Sequence, residues 1–573
     1  MKIFFEDYTY HLPIIQKSGL SQYFYISEKY DEAKLISVGY FYAPEIQDAV
    51  FVLPKIFLGL ISTQKDKEGN YIEEPGPDNV HSWAVFGKYL PESVYDLKDP
   101  KNPLLADSRL QTILQMSIWL YQSIRKFEQR NGKTEIISNQ VNKVAKGVGR
   151  DCSATFIDII LSLLRFHKEH QNLFTYISII NSSGNNKIHW GKTISKVQPV
   201  IQDGDPFYAE FRNKNKIINF DEEIIVLFYS VLEYLRQTYR FSVNPNVNYP
   251  LIPARKIQAM IDSGKGTRRL RSIRKRYFTD ELVALWKLLY AFFDKAERIA
   301  AGKQREEALM VRNYNIVFED MIDVLIGDVE YDTYRKLPDG KIIDHLYTDK
   351  SLTSDGQIYF IGDSKYYKRE EDIEGTSVFK QYTYAKNIIQ LNIDEILKRE
   401  PAGHIRYRDE LTEGYDITPN FFIRGYVNPD RMNFTEPVLR PMKNQFAPNR
   451  HFINRPFDRD SLVLCGFNIN FLYVLSHYVL EFGASSAKSI LRGQLRKGIV
   501  GRVNGFYNFY KVYPSIPVET FILKNRDTFR GQFFRPGDKS DFIWFGFDKT
   551  DLNNTDSLLN MKDVQKVEKV SLL

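Results

Sequence analysis

The chain lacks several features that define other protein classes. It has only two cysteines in 573 residues, Cys152 and Cys465, and these lie far apart without CxxC or Cys/His spacing. Neither a disulfide scaffold nor a structural zinc site is therefore expected, and a reducing compartment fits. No apolar run approaches the roughly 20 residues that span a bilayer. The N-terminal MKIFFEDYTYHLPII also lacks the apolar segment of a signal peptide. We expect a soluble, cytoplasmic protein with no membrane partner.

A complete phosphate-binding loop is also missing. The segment HWGKTI contains Gly191, Lys192 and Thr193, which match the end of a GxxxxGK[ST] motif, but Asn186 stands where the motif requires glycine. Without that glycine the loop cannot wrap its backbone amides round a phosphate in the usual way. We expect no nucleotide bound by this chain, so an NTP-driven step would need a motor on another polypeptide.

The composition is that of a globular, multidomain chain. Apolar residues make up 43% and aromatic residues 14%, enough for well-formed cores, and the length exceeds one ordinary core. We predict an α+β protein with a β-rich N-terminal domain (1–101), a mainly helical middle region (102–304), an α/β core (305–481) and a small β-containing C-terminal appendix (482–573). The net charge of +7 suits a protein that meets polyanions but is weak support.

The segment 341–367 predicts a β-hairpin. Its two runs, 342–347 and 358–367, are rich in β-branched and aromatic residues. The polar stretch 349–356 between them carries the Ser, Asp and Gly typical of a turn.

Two acidic residues and a lysine in this hairpin have the order of a metal-dependent nuclease site. Asp363 and Lys365 are two positions apart on the second predicted strand, so they point the same way. Asp344 shares a face of the first strand with Ile342 and Leu346, and could face Asp363 across the hairpin. Such a buried carboxylate is costly unless it is paired or binds a cation.

This D…DxK order predicts phosphodiester hydrolysis with magnesium. Mg²⁺ takes oxygen ligands and is usually held by one or two carboxylates while keeping several waters. A bound metal lowers the pKa of a water and neutralises phosphodiester charge, while a lysine can position that water or stabilise developing charge. We expect Asp344 and Asp363 as ligands, the backbone carbonyl of Ser364 as a further ligand, and Lys365 as the catalytic cation.

A helix is predicted just upstream, because NYNIVFEDMIDVLIGD has apolar residues at helical spacing. Glu319 on this helix could reach the same metal as a third acid. Taken alone, Glu319 suits an ordinary helix surface and a DxK tripeptide is common by chance. The order of helix Glu, strand Asp, strand DxK and helix Gln favours a site. His345, on the opposite strand face, is expected to pack or to bond to backbone.

These motifs resemble the PD-(D/E)xK nuclease superfamily and, more closely, the LlaJI-type, McrC-like nuclease subunits of multi-subunit restriction systems. The site residues that carry the likeness are Glu319 in IVFEDMID, Asp344 in IIDH, Asp363 and Lys365 in GDSKYY, and Gln381 and Tyr384 in KQYTYA. The likeness extends outside the site to three further segments, FVLPKIFL, KIHWGKTI and RSIRKRYFTDELVALWKLLYAF. The family often has Pro before the first Asp, where this chain has Ile343. Pro338 and Asp339 match the letters in a PDG turn, but we prefer Asp344.

The resemblance implies a PD-(D/E)xK core, Mg²⁺ with Mn²⁺ as the alternative, double-stranded DNA as substrate, and an McrB-like AAA+ GTPase as partner. It also implies that Gln381 and Tyr384 lie on a helix packed on the site, where they can orient DNA or the lysine. We therefore predict an endonuclease subunit of an NTP-dependent restriction system that defends against phage. The alternatives are a stand-alone repair-type nuclease and an inactive nuclease fold that bridges or stimulates a partner NTPase.

A basic run precedes the predicted nuclease core. The residues for which we predict DNA-backbone contacts are Arg268, Arg271, Arg274 and Lys275 in KGTRRLRSIRKR. On a helix, Arg268, Arg271 and Lys275 would lie along one face as a stripe. Arginine also binds phosphate with two hydrogen bonds. The open alternative is a solvated face or a docking surface for an acidic partner. The loop 428–460 is also basic, and either follows DNA or is solvated.

Further elements complete the prediction. Helices are expected over 106–127, 154–166, 220–239, 280–300 and 376–398. FFIRGYV and SLVLCGFNINFLYVL are expected to supply a strand and a helix of the α/β core.

Overall fold

The computed structural model describes most of the chain. The described residues are 1–19, 26–29, 31–43, 45–62, 81–131, 141–145, 154–171, 173–182, 187–239, 241, 243–303, 307–328, 335, 342–368, 373, 375–397, 407–428, 432–437, 439–442, 454–461, 464–480 and 484–572. They form two compact units, described separately below. The first comprises Met1–Phe41, Ala49–Asn142 and Leu309–Leu573, and the second comprises Tyr42–Asp48 and Lys143–Ala308. The finer division into four domains stays a prediction.

The described helices are α1 (Leu12–Gln16), α2 (Pro91–Val94), α3 (Leu110–Asn131), α4 (Phe156–Glu169), α5 (Trp190–Lys196), α6 (Glu223–Tyr239), α7 (Ala254–Asp262), α8 (Lys265–Ile273), α9 (Asp280–Ala300), α10 (Asn315–Ile326), α11 (Gly375–Leu397), α12 (Phe471–Val479), α13 (Ala484–Phe506), α14 (Val518–Asn525) and α15 (Leu552–Leu559). Short 3₁₀ turns lie at Lys55–Phe57, Pro103–Ala106 and Arg274–Arg276.

The described strands are β1 (Lys2–Phe5), β2 (Thr9–His11), β3 (Ile26–Lys29), β4 (Glu32–Leu35), β5 (Ser37–Ala43), β6 (Asp48–Leu53), β7 (Leu58–Ser62), β8 (His81–Val85), β9 (Val141–Ala145), β10 (Tyr176–Asn181), β11 (Val200–Gln202), β12 (Asp205–Phe207), β13 (Asn213–Ile218), β14 (Glu307–Arg312), β15 (His345–Lys350), β16 (Gln357–Lys365), β17 (Asn420–Tyr426), β18 (Leu439–Pro441), β19 (Leu464–Asn470), β20 (Tyr507–Pro514), β21 (Phe533–Phe534), β22 (Ile543–Asp548) and β23 (Val564–Val570). The chain is thus a mixed α and β protein, as predicted.

Most of the described elements in the N-terminal region are strands. β1, β6 and β5 lie in one sheet with two strands from later in the chain, in the order β1, β6, β5, β14, β9. β2, β4 and β3 form a second sheet, and β7 pairs with β8. β1 and β6 are parallel, and their apolar side chains are almost entirely buried.

The second unit has a helical core. The apolar faces of α4, α6, α7, α8 and α9 pack together, with Leu163, Leu232 and Leu289 fully buried among them. α4 begins with a capping box, in which Thr155 accepts from the backbone N–H of Asp158 and the Asp158 carboxylate accepts from the N–H of Thr155. The helices expected in this region are present close to their predicted bounds. Two small antiparallel sheets, β10 with β13 and the hairpin of β11 with β12, are strands that the helical prediction missed.

The sheet that carries the predicted site has the order β15, β16, β17, β19, β18. β15 pairs antiparallel with β16, while β16 with β17 and β17 with β19 are parallel. α10 packs on β15 and β16, and α11 also contacts β16. Gly362 lets β16 lie close to its neighbour, because a Cβ there would come within 2.5 Å of the Phe421 ring.

Two local expectations for this sheet need correction. The segment SLVLCGFNINFLYVL is not one helix: it is the buried strand β19 followed by α12. A short, continuous apolar run does not distinguish a buried strand from a helix. Asn470 sets the boundary, since its side chain accepts from the N–H of Leu472 and caps α12. The hairpin is also shifted, so that Asp344 lies just before β15 and Ile342 is 54% exposed rather than buried.

The C-terminal region forms its own antiparallel sheet in the order β21, β22, β20, β23. Its apolar core includes Val512, Phe521 and Phe545, all fully buried. The basic segment before it is the long helix α13. None of the described helices is long and apolar enough to cross a membrane.

Candidate active site at the end of the hairpin

The hairpin register brings the two predicted carboxylates together. His345 pairs with Gly362, so the next position outward sets Asp344 opposite Asp363. Asp344 accepts a hydrogen bond from the backbone N–H of Ser364 at 3.1 Å. Besides burial, the adjacent carboxyl of Asp363 acts on Asp344, whose pKa it raises. The predicted facing of the two acids is therefore seen in the structure.

The two carboxyl groups are so close together and so deeply buried that both cannot be ionised without a compensating positive charge. Burial raises the pKa of Asp344 well above its usual range, and the neighbouring charge of Asp363 adds to that effect. Asp363 itself is only 4% exposed. A proton or a cation must therefore neutralise part of this site.

Lys365 supplies one such cation. Its Nζ lies 2.6 Å from Oδ2 of Asp363, so the side chains share a face of β16 as predicted from strand alternation. Burial lowers the pKa of Lys365, but the charge of Asp363 and the hydrogen bond to it outweigh burial and raise the pKa overall. Lys365 therefore stays a protonated ammonium beside the carboxylates at neutral pH.

Helix α10 brings a third acid to this end of the hairpin. Its apolar residues Val317, Phe318 and Met321 are buried, which turns Glu319 toward the site. Burial raises the pKa of Glu319 to about 7, with a further contribution from the charge of Asp363. Glu319 is thus partly protonated at neutral pH.

A second polar cluster lies directly behind the carboxylates. His345 is completely buried, with Nε2 at 2.6 Å from Oγ of Ser364 and Nδ1 at 3.4 Å from Oδ1 of Asp323. Arg335 donates to Oδ2 of Asp323 at 2.7 Å and to the carbonyl of Ile343 at 2.8 Å. His345 was expected to pack, and it does, but its partners are side chains rather than backbone.

The sequence did contain one signal for this cluster. Asp323 follows Glu319 by four residues on a predicted helix, so the two acids share a face. Arg335 gave no signal, because its position behind Ile343 depends on the tertiary fold.

The residues that follow β16 contact the N-terminal region. Tyr366 is buried and donates its hydroxyl to Glu6, and Lys368 forms a 3.0 Å ion pair with Asp7. Lys368 also lies over the ring of Trp83 at 4.4 Å. Tyr366 is thus a core aromatic, and the N-terminal region supports the end of the site strand.

Gln381 and Tyr384 lie on α11, as predicted, but inside the protein. The amide nitrogen of Gln381 donates to Oδ1 of Asn420 at 2.7 Å and to the carbonyl of Ile361 at 3.3 Å. Gln381 is fully buried and Tyr384 is 4% exposed. The structure does not bring Gln381 to the carboxylates, and this burial favours a packing role over direct contact with DNA.

The basic run lies in the second unit and only part of it is helical. Arg268 and Arg271 are on α8, whereas Arg274 and Lys275 are in the following 3₁₀ turn. Arg268 donates to the carbonyls of Ser263 and Gly264, at the end of α7. The contacts and exposure of all four residues are compatible with binding to the DNA backbone. They are equally compatible with a solvated face or a docking surface for an acidic partner. Asn186, Asp339, Lys443 and Arg450 lie outside the described residues.

The oxygen donors at this end of the hairpin meet the requirements of a divalent ion in part. In the described part of the chain, no three Asp, Glu, His or Cys side chains converge, as they stand, on one metal position. The pair Asp344 and Asp363 is nevertheless a buried carboxylate pair that needs a positive partner. Mg²⁺ is commonly held by one or two carboxylates and water, so this pair fits that ion.

Two comparisons with known proteins match this chain, and a third finds nothing. Among solved structures, it is similar to a Thermococcus gammatolerans assembly described as "McrB AAA+ hexamers with bound McrC", at 12% identity and a TM-score of 0.26, covering 86% of this chain and 99% of that one. A TM-score of this size does not establish a shared fold. No curated protein matches the chain.

The family model is the decisive comparison. The model for the LlaJI restriction endonuclease matches residues 103–423, more than half of the chain, and this range contains the hairpin, α10 and α11. The likeness first seen in the sequence motifs is confirmed. The chain belongs to the LlaJI restriction endonuclease family.

Proposed function

We propose that the chain is a Mg²⁺-dependent DNA endonuclease of the PD-(D/E)xK type, acting as the nuclease subunit of an NTP-dependent restriction system. The observation that carries the proposal is the buried pair of Asp344 and Asp363 with the Lys365 ammonium 2.6 Å from one of them. Restriction endonuclease family membership supports DNA as the substrate.

The residues have distinct roles in this proposal. Asp344 and Asp363 hold the divalent ion, with the Ser364 carbonyl as a further ligand. A bound Mg²⁺ neutralises phosphodiester charge and acidifies a bound water. Lys365 orients the attacking water and stabilises the charge that develops on the phosphate. Glu319, with its pKa raised to about 7, accepts or holds a proton close to the reacting groups.

A separate motor subunit completes the proposal. The sequence resembles McrC-like subunits, and its GKT tripeptide lacks the first glycine of a phosphate-binding loop. We therefore infer that NTP hydrolysis belongs to an McrB-like AAA+ GTPase partner.

The test is cleavage of plasmid DNA by the full-length protein with Mg²⁺, in the presence and absence of an McrB-like AAA+ GTPase and GTP. Asp363→Asn removes one ligand charge with little change in shape. We expect it to lower the cleavage rate by about 100-fold or more, the scale on which a single charge-stabilising group contributes. Asp355→Asn is the matched control, because Asp355 lies in the same hairpin with its side chain 93% exposed.

The outcomes separate the alternatives. Equal cleavage by wild type and Asp363→Asn would contradict the nuclease proposal and favour an inactive subunit. Full cleavage by the protein with Mg²⁺ alone would favour a stand-alone nuclease. Cleavage that depends on both partner and GTP supports the motor subunit.

A further inference from the structure

Three side chains behind the carboxylates form a continuous chain of hydrogen bonds. Asp323 lies at 3.4 Å from His345 Nδ1, and His345 Nε2 lies at 2.6 Å from Oγ of Ser364. Since Asp323 accepts, Nδ1 carries the proton and Nε2 accepts from the Ser364 hydroxyl. The backbone N–H of Ser364 then donates to Asp344 at 3.1 Å.

Arg335 connects this series of hydrogen bonds to the backbone at Asp344, the other member of the carboxylate pair. Its guanidinium holds Asp323 and also donates to the carbonyls of Ile343 and Asp344. The backbone at Asp344 and the backbone at Ser364 are therefore fastened to the same aspartate on α10. We call Asp323, Arg335, His345 and Ser364 the bracing cluster.

The order Asp, His, Ser is also that of a nucleophilic hydrolase, but the surroundings differ. Ser364 is only 5% exposed and His345 is fully buried, so the hydroxyl is not presented to a substrate. A buried, fully bonded chain of this kind restricts side-chain and strand orientation.

We propose that the side chains of the bracing cluster position Asp344 against Asp363, and so set the divalent-ion affinity of the site without themselves touching the ion. The inference rests on the proposed function. Partners behind metal ligands commonly contribute 10- to 100-fold in metal affinity. Ser364 and His345 are positioning residues in this arrangement, and the strand segment Asp363–Lys365 is what they position.

Two variants of His345 separate this role from simple packing. The side-chain amide of asparagine lies close to the position of the histidine Nδ1. His345→Asn therefore keeps the hydrogen bond to Asp323 and loses the hydrogen bond to Ser364. Glutamine reaches as far as Nε2, so His345→Gln keeps a partner for Ser364. We expect Mn²⁺ affinity, measured by calorimetry on the full-length protein without DNA, to fall by about 10-fold or more in His345→Asn and in Ser364→Ala. His345→Gln is expected to recover part of the loss.

The matched control is Ser351→Ala. Ser351 is equally buried and its hydroxyl donates to Asp416 at 2.6 Å, but it lies at the opposite end of the same hairpin. We expect Ser351→Ala to leave Mn²⁺ affinity unchanged, although it also removes a buried hydroxyl. The double variant His345→Asn/Ser364→Ala should be no weaker than either single variant, because both break the same link.

The results that would overturn the inference are specific. The inference is wrong if His345→Asn and Ser364→Ala both bind Mn²⁺ with wild-type affinity while Asp363→Asn abolishes binding. The proposed function would stand in that case. If Asp363→Asn binds Mn²⁺ like wild type, both fail. Circular dichroism checks that each variant is folded, and if His345→Asn does not fold, Ser364→Ala carries the comparison with Ser351→Ala.

Discussion

At the scale of single residues, the site is defined by charge that cannot be dispersed into solvent. Asp344 and Asp363 face each other at buried positions, and the Lys365 ammonium forms an ion pair with Asp363. Such a pair favours protonation until a cation arrives. The proposed metal therefore competes with protons as well as with water.

This competition predicts a pH dependence of metal binding. Burial raises the pKa of Glu319 to about 7, so Glu319 releases its proton as pH rises through neutrality. Burial and the charge of Asp363 also raise the pKa of Asp344 above its usual range. We expect Mn²⁺ affinity to tighten by about tenfold or more between pH 6 and pH 8, since a proton with a pKa near 7 no longer competes. Calorimetry at three pH values measures this directly.

Glu319→Gln provides the control for that prediction. It removes one titrating group and should make the pH dependence shallower. A pH-independent affinity in the wild type would contradict the assignment of raised pKa values to the metal-binding groups.

At the scale of elements, each secondary structure presents its functional side chains through its own periodicity. α10 buries an apolar stripe and so presents Glu319 and Asp323, one turn apart, toward the hairpin. β16 alternates, which places Asp363 and Lys365 together. α11 likewise places Gln381 inward, where it joins β16 to β17 through Ile361 and Asn420.

The inward position of Gln381 leads to a prediction about stability. Gln381→Leu removes the donor to Oδ1 of Asn420 and leaves that buried acceptor without it. We expect the free energy of unfolding to fall by about 1–3 kcal/mol. Lys380→Leu, at the exposed neighbouring position on α11, should change it by less than about 0.5 kcal/mol. Urea unfolding of both variants measures the difference.

The same variant tests whether Gln381 contacts DNA. A buried residue should leave the salt dependence and sequence preference of DNA binding unchanged. A folded Gln381→Leu protein that loses DNA affinity would instead support the original prediction of a DNA-orienting residue.

At the scale of the whole molecule, two basic residues of α13 form ion pairs inside the first unit. In the first unit, Arg492 on α13 pairs with Asp328 at 2.6 Å and donates to the carbonyl of Ile326. Lys488 pairs with the same aspartate at 2.8 Å. The basic segment of the predicted appendix thus fastens α13 to the end of α10.

In the second unit, the run from Lys265 to Arg276 remains the candidate for binding phosphate. We expect the double variant Arg271→Ala/Lys275→Ala to reduce the slope of log affinity against log salt by about 2, one for each phosphate that the variant no longer neutralises. Fluorescence anisotropy with a duplex at several salt concentrations provides the slope. Arg236→Ala is the control, since Arg236 is exposed in the same unit and pairs locally with Glu233.

An unchanged slope in the double variant would favour the other interpretation of this run. Arg271 would then serve the helical unit through its bonds to the Tyr290 hydroxyl. The basic face would be solvated or would meet an acidic partner.

The predictable part of the site lay in short-range order. The hairpin, the shared face of Asp363 and Lys365, and the helix with Glu319 all follow from periods of two and 3.6 residues. The division of SLVLCGFNINFLYVL into β19 and α12 did not, because a wholly apolar run has no period that separates the two structures. The outward exposure of Ile342 was missed for a related reason, since strand ends depend on pairing.

By itself, the sequence determined the family, the order of the acidic residues and lysine, and the elements that bear them. These depend on residue identity and local periodicity, which are written along the chain. Only the tertiary structure decided that His345 bonds to Ser364 and Asp323, that Arg335 joins them, and that Gln381 is interior. These contacts join residues far apart in sequence, and their geometry depends on strand register and helix packing, which local patterns do not encode.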